Sequence, residues 1–344
     1  MQRLLIANRG EIAIRIAQTA ADMGLETVGV YSEDDADSLH TRAVDRAVPL
    51  EGNGPSAYLD IAQVVAAALE AGADAVHPGY GFLAENGDFA RACEAAGLTF
   101  VGPSSETLDL FGDKVAAREL AAEHGVPLLP GTDGPTLLDV AQAFFTDLEA
   151  GTSAMLKAVA GGGGRGMRLV HNEEDLAEAF ERSQSEARAA FGRSDVFIEQ
   201  YLPHARHIEV QVAGDGTGAA IALGERDCSL QRQHQKIIEI TPAPNLADDI
   251  RSRLHNAACE LAAASAYKGL GTFEFLVDTN GAPDDPDEPV IAFLECNARL
   301  QVEHTVTECV TGLDLVQIQL LVAQGKTLAS LGLNPTAPPQ PQGY

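Results

Sequence analysis

Positive charge is scarce in this 344-residue chain: 23 Lys and Arg stand against 50 Asp and Glu, for a net charge of −27 and a pI near 4.5. That balance repels a phosphate backbone and an anionic lipid surface, so neither nucleic acid nor membrane is an expected partner. Cysteine is sparse too. Cys93, Cys228, Cys259, Cys296 and Cys309 are odd in number and form no Cys-x-x-Cys pair, which points to a reduced, cytoplasmic setting. No apolar run approaches membrane-spanning length, and the stretch from Met1 to Ala7 has neither the h-region nor the cleavage site of a signal peptide. Gly10 stands alone without Gly-x-Gly-x-x-Gly spacing, which excludes an NAD fingerprint, and no Gly-Lys-Ser/Thr marks a Walker A loop. No internal repeat and no nucleophilic Ser or Cys dyad are visible.

The length suits two or three compact units with a cleft between them. From the N-terminus, a strand at Leu4 to Ala7, a helix at Glu11 to Met23 and a strand at Glu26 to Tyr31 open a βαβ pattern. It continues through a helix at Ile61 to Ala71, a strand at Asp74 to His77, a helix at Phe89 to Ala96 and a strand at Leu98 to Val101, which implies a parallel sheet. The Gly79 to Phe82 segment follows a strand end, where open α/β sheets bind ligands or simply turn. Pro127, Pro130, Gly131, Gly134 and Pro135 mark a boundary. Beyond it, strands at Ala154 to Ala160 and Met167 to Val170 flank Gly161, Gly162, Gly163, Gly164, Arg165 and Gly166, before a helix at Glu173 to Arg188 and a strand at Val196 to Gln200. Such a run is either a flexible hairpin or a loop whose N–H groups close over phosphate oxygens, and Lys157 beside it favours phosphate.

After Pro203 the alternation at His207 to Val212, the apolar run at Ala219 to Gly224 and the alternation at Lys236 to Thr241 predict an antiparallel section. The donor-rich stretch between the last two carries Arg226, Arg232, His234 and Lys236, a basic spot suited to phosphate or bicarbonate. A helix at Asp248 to Tyr267 and a strand at Gly271 to Val277 follow, and Glu274 between Phe273 and Phe275 requires water or a cation. Thr279 to Pro289 reads as an acidic solvent loop without EF-hand spacing. From Phe293 to His304 polar and apolar residues alternate strictly: Glu295, Asn297, Arg299, Gln301 and Glu303 fall on one face of an extended chain, Cys296, Ala298, Leu300 and Val302 on the other. A solvated strand favours Thr, Lys and Ser over such a mixture. A helix from Glu308 to Lys326 and a Pro-rich connector to Tyr344 close the chain.

Glu274, Glu295 and Asn297 are oxygen donors without Cys/His pairs, a set for Mg²⁺ or Mn²⁺. With Lys114, Lys157, Lys236 and the glycine run, they imply phosphoryl transfer from a nucleotide. Arg299 can hold a planar anion, and Glu303 is placed as a general base.

Ile6 to Glu11, His77 to Leu83, Lys157 with Gly161 to Met167, Arg226 to Ser229 and Glu295 to His304 together resemble biotin carboxylase, an ATP-grasp enzyme, in order and spacing. The resemblance runs from about residue 2 to 344 and implies an α/β chain: a Rossmann-like N-terminal domain over 1–112, a small mobile lid over 113–203, and a larger ATP-grasp domain over 204–344. It implies that ATP phosphorylates bicarbonate to carboxyphosphate and that carbon dioxide passes to biotin on a carrier domain or protein, upstream of a carboxyltransferase. It places Lys114, Lys157, His207, Gln231 and His234 on the nucleotide, Glu199 and Leu202 at the adenine edge, and Glu274, Glu295 and the adjoining Asn297 on the metal. Lys236, Arg299, Gln301 and Val302 are expected around bicarbonate, Glu303 as its base, and Tyr80 near biotin.

The chain departs from the family pattern at Gln200, where Lys is usual, and at Val159 and Ala160, where Ser-Gly is usual, a change that stiffens the lid hinge. The family also continues for roughly a hundred residues past Tyr344, completing a domain of ordinary size, carrying a further biotin-site Arg and giving a homodimer. Two other functions compete: a carbamoyl-phosphate type of ATP-grasp ligase, in which carboxyphosphate meets ammonia, and a nucleotide-binding module without turnover.

Overall fold

The computed structural model describes residues 1–149, 151–159, 166–233, 235–279 and 288–343. The N-terminal pattern builds a parallel sheet from β1 (Arg3–Ile6), β2 (Glu26–Tyr31), β3 (Arg46–Pro49), β4 (Ala75–His77) and β5 (Thr99–Phe100), in the spatial order β3-β2-β1-β4-β5. Helices α1 (Gly10–Asp22), α2 (Ile61–Ala71) and α3 (Gly87–Ala95) connect its strands. Central β1 is buried on both faces: Leu5 belongs to one apolar cluster, Leu4 and Ile6 to another, as a strand covered on both sides requires. The α1 stripe of Ile12, Ala13, Ile16, Ala17 and Ala20 packs inward. Asp60 caps α2 by accepting from the Gln63 N–H at 3.0 Å, and Gly72 ends it at φ +68°. β3 was not anticipated: it is a short edge strand with an exposed Arg46, lacking an apolar run to reveal it.

Helices α4 (Ser105–Gly112) and α5 (Lys114–Glu123) meet at Asp113, whose carboxylate accepts from the Val115 and Ala116 N–H groups. A smaller unit follows, with α6 (Leu138–Asp147), β6 (Ala154–Ala158), β7 (Arg168–Val170), α7 (Glu173–Phe191) and β8 (Val196–Gln200). Its antiparallel sheet runs β7-β6-β8 and has its own core, including Ala141, Leu156, Leu176, Phe180 and Ile198. β6 stops at Ala158, short of the expected Ala160. Gly161, Gly162, Gly163, Gly164 and Arg165 lie outside the described residues, as does the greater part of the expected acidic loop.

The third sheet is antiparallel, in the order β11-β10-β9-β12-β13: β9 (Arg206–Asp215), β10 (Ala220–Arg232), β11 (Gln235–Ile240), β12 (Lys268–Asp278) and β13 (Val290–Asn297). Period-two alternation separates its faces. Ile208, Val210 and Val212 of β9 and Phe273, Phe275 and Val277 of β12 join α8 (Asp248–Ala264) in the main apolar cluster. Alternate residues His207, Glu209, Gln211, Thr272 and Glu274 take the opposite face, and all five are buried or nearly so.

Three expectations need correction. The donor-rich stretch expected between two strands is itself mostly strand, because β10 extends to Arg232 and pairs with both β9 and β11. The alternating stretch from Phe293 is a strand only as far as Asn297; there the Arg299 N–H bonds to the Asn297 carbonyl at 2.9 Å and the chain turns. Val302, expected to pack inward, is 59% exposed. The single helix expected over 308–326 is two, α9 (His304–Thr311) and α10 (Leu315–Ala323). They break at Gly312, φ +70°, and Asp314 caps the second by accepting from the Gln317 N–H at 2.8 Å.

Candidate active site

Strand register brings one charged residue from each of four strands into a single row. Arg226 of β10 is the Cα partner of Glu209, Glu209 of Glu274, and Glu274 of Glu295. Three carboxylates side by side across a sheet repel one another, so this row requires cations. The structure supplies them from several directions. Arg226, fully buried, donates through Nε to Glu209 and spends its remaining contacts on Gln211, Thr307 and Thr272. Lys236 on β11 donates to Glu209, to Glu274 Oε1 at 3.0 Å and to Glu303 Oε1 at 2.9 Å. Burial opposes the Lys236 charge, but Glu274, Glu209 and Glu303 outweigh it and raise its pKa above the ordinary lysine range.

Glu274 has two further donors: His207 Nε2 at 2.7 Å and the Asn297 amide at 2.7 Å. Its burial would raise its pKa, yet His207 and Lys236 hold it well below the usual carboxylate range. Burial likewise disfavours charge on His207, and Glu274 overrides it and raises the imidazole. The Gln231 amide lies 2.8 Å from His207 Nδ1 and orients the ring. Lys114, at the start of α5, pairs with Glu295; burial works against its charge and Glu295 restores it. On the smaller sheet Lys157 pairs with Glu199, which also accepts from Arg118 at 3.2 Å.

The turn after β13 is held by Arg299. Its Nε donates to Glu85 at 2.8 Å, one terminal nitrogen to Gln301 Oε1 at 2.7 Å and the other to Asn297 Oδ1 at 3.0 Å, while Glu85 also accepts from the Ala298 N–H at 3.2 Å. Burial lowers and Glu85 raises the guanidinium pKa, with a net upward shift. Glu303 stands immediately before the next helix, its side chain 7% exposed. Burial pushes its pKa up, and Lys236 with Arg226 brings it below the ordinary value. An anionic, unprotonated Glu303 is therefore held at neutral pH beside a fixed cation, as a base requires.

Most of these groups, though not Glu85, Arg118, Glu209 or Arg226, line one cavity of about 570 Å³ between the two antiparallel sheets. Of the expected site residues it gathers Lys114, Lys157, Glu199, Leu202, His207, Gln231, Lys236, Glu274, Glu295, Asn297, Arg299, Gln301, Val302 and Glu303. Tyr80 is not among its lining residues; half-buried, it packs against an apolar cluster, and its carbonyl accepts from the Asn8 amide at 2.7 Å. Asn8 also donates to the Pro78 carbonyl at 2.7 Å, tying the end of β1 to the turn after β4. Gly166 does not line the cavity either; at φ +73° its carbonyl accepts from Ser183 at 2.7 Å, and a Cβ there would sit 3.0 Å from that of Ala158. His234 lies outside the described residues, together with the four preceding glycines of the run.

The expected basic spot needs revision. Arg226 is committed inside the sheet to Glu209 and Arg232 is exposed away from the lining, so of the described residues in that group only Lys236 reaches the cavity. Sequence reasoning missed Glu209, Arg118, Glu85 and Glu239. Glu209 carried a usable signal, being the acid in the middle of the His207 to Val212 alternation, on the face opposite the valines. Glu85 carried none, because its partner is 214 residues away.

The donor chemistry fits a hard divalent cation: Glu274 and Glu295 are adjacent across two strands, Asn297 adds an amide, and no cysteine is among the described lining residues. No single helix among the described residues is long and apolar enough to cross a membrane.

Residues 113–331 match the family model for the carbamoyl-phosphate synthase L chain, ATP binding domain, and residues 1–108 match that for the biotin carboxylase N-terminal domain. Pyruvate carboxylase of Aspergillus terreus is 48% identical over 336 residues, covering 96% of this chain and 27% of the relative; that of Bacillus subtilis is 48% identical over 337 residues, covering 97% and 28%. This chain therefore spans little more than a quarter of the length of the curated relatives it matches. Among solved structures, Campylobacter jejuni biotin carboxylase in a complex described as β-γ-ATP superposes with a TM-score of 0.90 at 45% identity, covering 95% of this chain and 72% of that one. The biotin carboxylase domain dimer of Hydrogenobacter thermophilus 2-oxoglutarate carboxylase, solved with MgADP, ADP and bicarbonate, gives 0.89 at 42% identity, covering 95% and 70%.

Proposed function

This chain belongs to the biotin carboxylase family, the ATP-dependent part of biotin-dependent carboxylases, and on that premise we propose that it carboxylates carrier-borne biotin with ATP and bicarbonate through carboxyphosphate. The observation that carries the reading is the Lys236 ammonium, bonded at once to Glu303 and to Glu274 inside the cavity. It joins the group suited to take a proton from bicarbonate to the groups suited to hold a nucleotide's metal.

In this reading Lys114, Lys157, His207, Gln231 and His234 contact the phosphates and ribose of ATP, with Glu199 and Leu202 at the adenine edge and Gly161 to Gly164 with Gly166 closing over the phosphates. Glu274, Glu295 and Asn297 hold Mg²⁺ or Mn²⁺, which neutralises phosphate charge when bound. Lys236, Arg299, Gln301 and Val302 surround bicarbonate, and Glu303 removes its proton, so that one oxygen attacks the γ-phosphorus and ADP leaves. Carboxyphosphate then splits into carbon dioxide and phosphate, and the ureido nitrogen of biotin bonds to the carbon dioxide as its N–H proton passes to that phosphate, with Tyr80 on the biotin side. Partners in this scheme are a biotin carboxyl carrier domain or protein, a carboxyltransferase that selects the final acceptor, and a second copy of the chain. The Hydrogenobacter domain, described as a dimer with MgADP and bicarbonate, supports both the ligand set and the self-association.

The test is ATP hydrolysis with and without bicarbonate, biotin and ammonia. Bicarbonate-dependent turnover raised by free biotin is the expected result. Stimulation by ammonia with none by biotin would transfer the chain to the carbamoyl-phosphate type of chemistry. An ATP-induced rise in melting temperature without any turnover would make it a nucleotide-binding module.

A further inference from the structure

The cavity end of β10 is irregular. It pairs with β9 only as far as Asp227 opposite Ile208, and against β11 two of its residues, Cys228 and Ser229, stand opposite the single residue Glu239. A bulge of this kind bends its strand and re-aims the side chains beyond it. Here it brings Gln231 onto His207: the Gln231 amide nitrogen lies 2.9 Å from the Cys228 carbonyl and 2.8 Å from His207 Nδ1. With Nδ1 so engaged, the ring turns its Nε2 to Glu274 at 2.7 Å.

Asp227, outside the cavity lining, holds the bulge in place. Its Oδ2 accepts from Arg206 Nη2 at 2.7 Å and Nε at 3.2 Å, while Oδ1 accepts from the Ser229 N–H at 2.8 Å and from the Ser229 hydroxyl. Because that hydroxyl gives its one proton to Asp227, its oxygen faces His207 as an acceptor, and the His207 N–H donates to it at 3.0 Å. Where the β9–β10 ladder stops, Ser229 thus stands in for a backbone acceptor. One carboxylate fixes the backbone of His207 through Ser229 and its ring through the bulge and Gln231. We propose that Asp227 is a positioning residue for the nucleotide, acting through Ser229 to set His207 and Gln231 where ATP meets them. The inference rests on the reading of those two residues as nucleotide contacts.

The experiment measures the Kd for MgATP by calorimetry, with kcat and KM in bicarbonate-dependent ATP hydrolysis. It uses the full chain as wild type, Asp227→Ala, Asp227→Asn, Ser229→Ala and the double variant Asp227→Ala/Ser229→Ala. Asp227→Ala should weaken ATP roughly 10-fold in Kd and KM, the size of one lost hydrogen bond to a charged group. Its kcat at saturating ATP and its KM for bicarbonate should stay within about two-fold of wild type. Asp227→Asn keeps an oxygen for Ser229 and loses only the charge facing Arg206, so it should bind ATP within about three-fold of wild type. Because Asp227 acts through Ser229, the double variant should be little weaker than Asp227→Ala alone. A merely structural role would lower the melting temperature and leave ATP affinity unchanged. That outcome, or Asp227→Asn as weak as Asp227→Ala, or full additivity in the double variant, overturns the proposal. Wild type that binds no ATP would instead overturn the functional reading, and the inference with it.

Discussion

The antiparallel sheet has two buried faces made from the same strands, and they solve opposite problems. On one, Ile208, Val210, Val212, Phe273 and Phe275 pack with α8 and need only shape and volume. On the other, residues one position along the same strands place Glu209, Glu274 and Glu295 side by side, an arrangement that stands only because Arg226, Lys236, His207 and Lys114 neutralise it. Even adjacent residues of β10 divide this way. Glu225 turns toward α8 and accepts from Arg251 at 3.0 Å and His255 at 2.9 Å, a pair of contacts away from the cavity, while Arg226 turns toward the carboxylate row. The apolar face makes the sheet stable; the charged face is an assembly that a ligand of matching charge can reorganise. A cation replacing an ammonium at Glu274 and Glu295, or an anion at Lys236 and Arg299, finds its counter-charges already placed.

The sharpest way to break this comparison is to remove the one cation that never reaches the cavity. Arg226→Leu leaves Glu209 buried beside Glu274 with only Lys236 to offset it, and should cost about 3–5 kcal/mol of stability, the usual penalty for stranding a buried charge; urea unfolding measures it. If the loss is below 1 kcal/mol, the row does not depend on its cations. Phe273→Ala on the opposite face should cost a similar or slightly smaller amount, about 3–4 kcal/mol, through the cavity it opens. Unlike Arg226→Leu, it should leave the KM for bicarbonate unchanged at a temperature where the variant stays folded.

The charged face should also betray itself on acidification. Glu274 and Glu303 have folded pKa values below the ordinary 4.5, so their stabilising contribution is complete above pH 4.5 and is lost as pH falls through the lowered values. Melting temperature followed from pH 6 downward should therefore decline below about 4.5, and Lys236→Met should weaken that dependence, since it removes a cation that lowers both carboxylates. The smallest expected effect is Glu85→Gln. Losing the charge opposite Arg299 should raise the KM for bicarbonate a few-fold, in line with about 1 kcal/mol for one exposed ion pair, with kcat nearly unchanged.

Much of the fold was legible because its strands and helices carry their periods openly: β2, β8 and α2 run between the residues read from the sequence. The failures have physical causes. β3 is too polar to show, the tail of β10 is a strand held by pairing rather than by apolar alternation, and one αL glycine, Gly312, splits what reads as a single helix into two. The site was legible as a set of residue types but not as an arrangement. Alternation along Phe293 to His304 suggested that the functional face lies along one strand, whereas the charged row runs across four, and the polar residues after Asn297 converge on the cavity from a turn. Register and long-range pairs such as Glu85 with Arg299 leave no mark in local sequence.

The most direct test of the account compares wild type with Glu303→Gln in bicarbonate-dependent ATP hydrolysis, with the ATP-induced shift in melting temperature recorded for both. Turnover should fall by about 100-fold or more in Glu303→Gln, the usual loss on removing a general base, with the ATP shift preserved. Turnover in Glu303→Gln within a factor of about two of wild type, well inside what an exposed, uninvolved substitution produces, would contradict it.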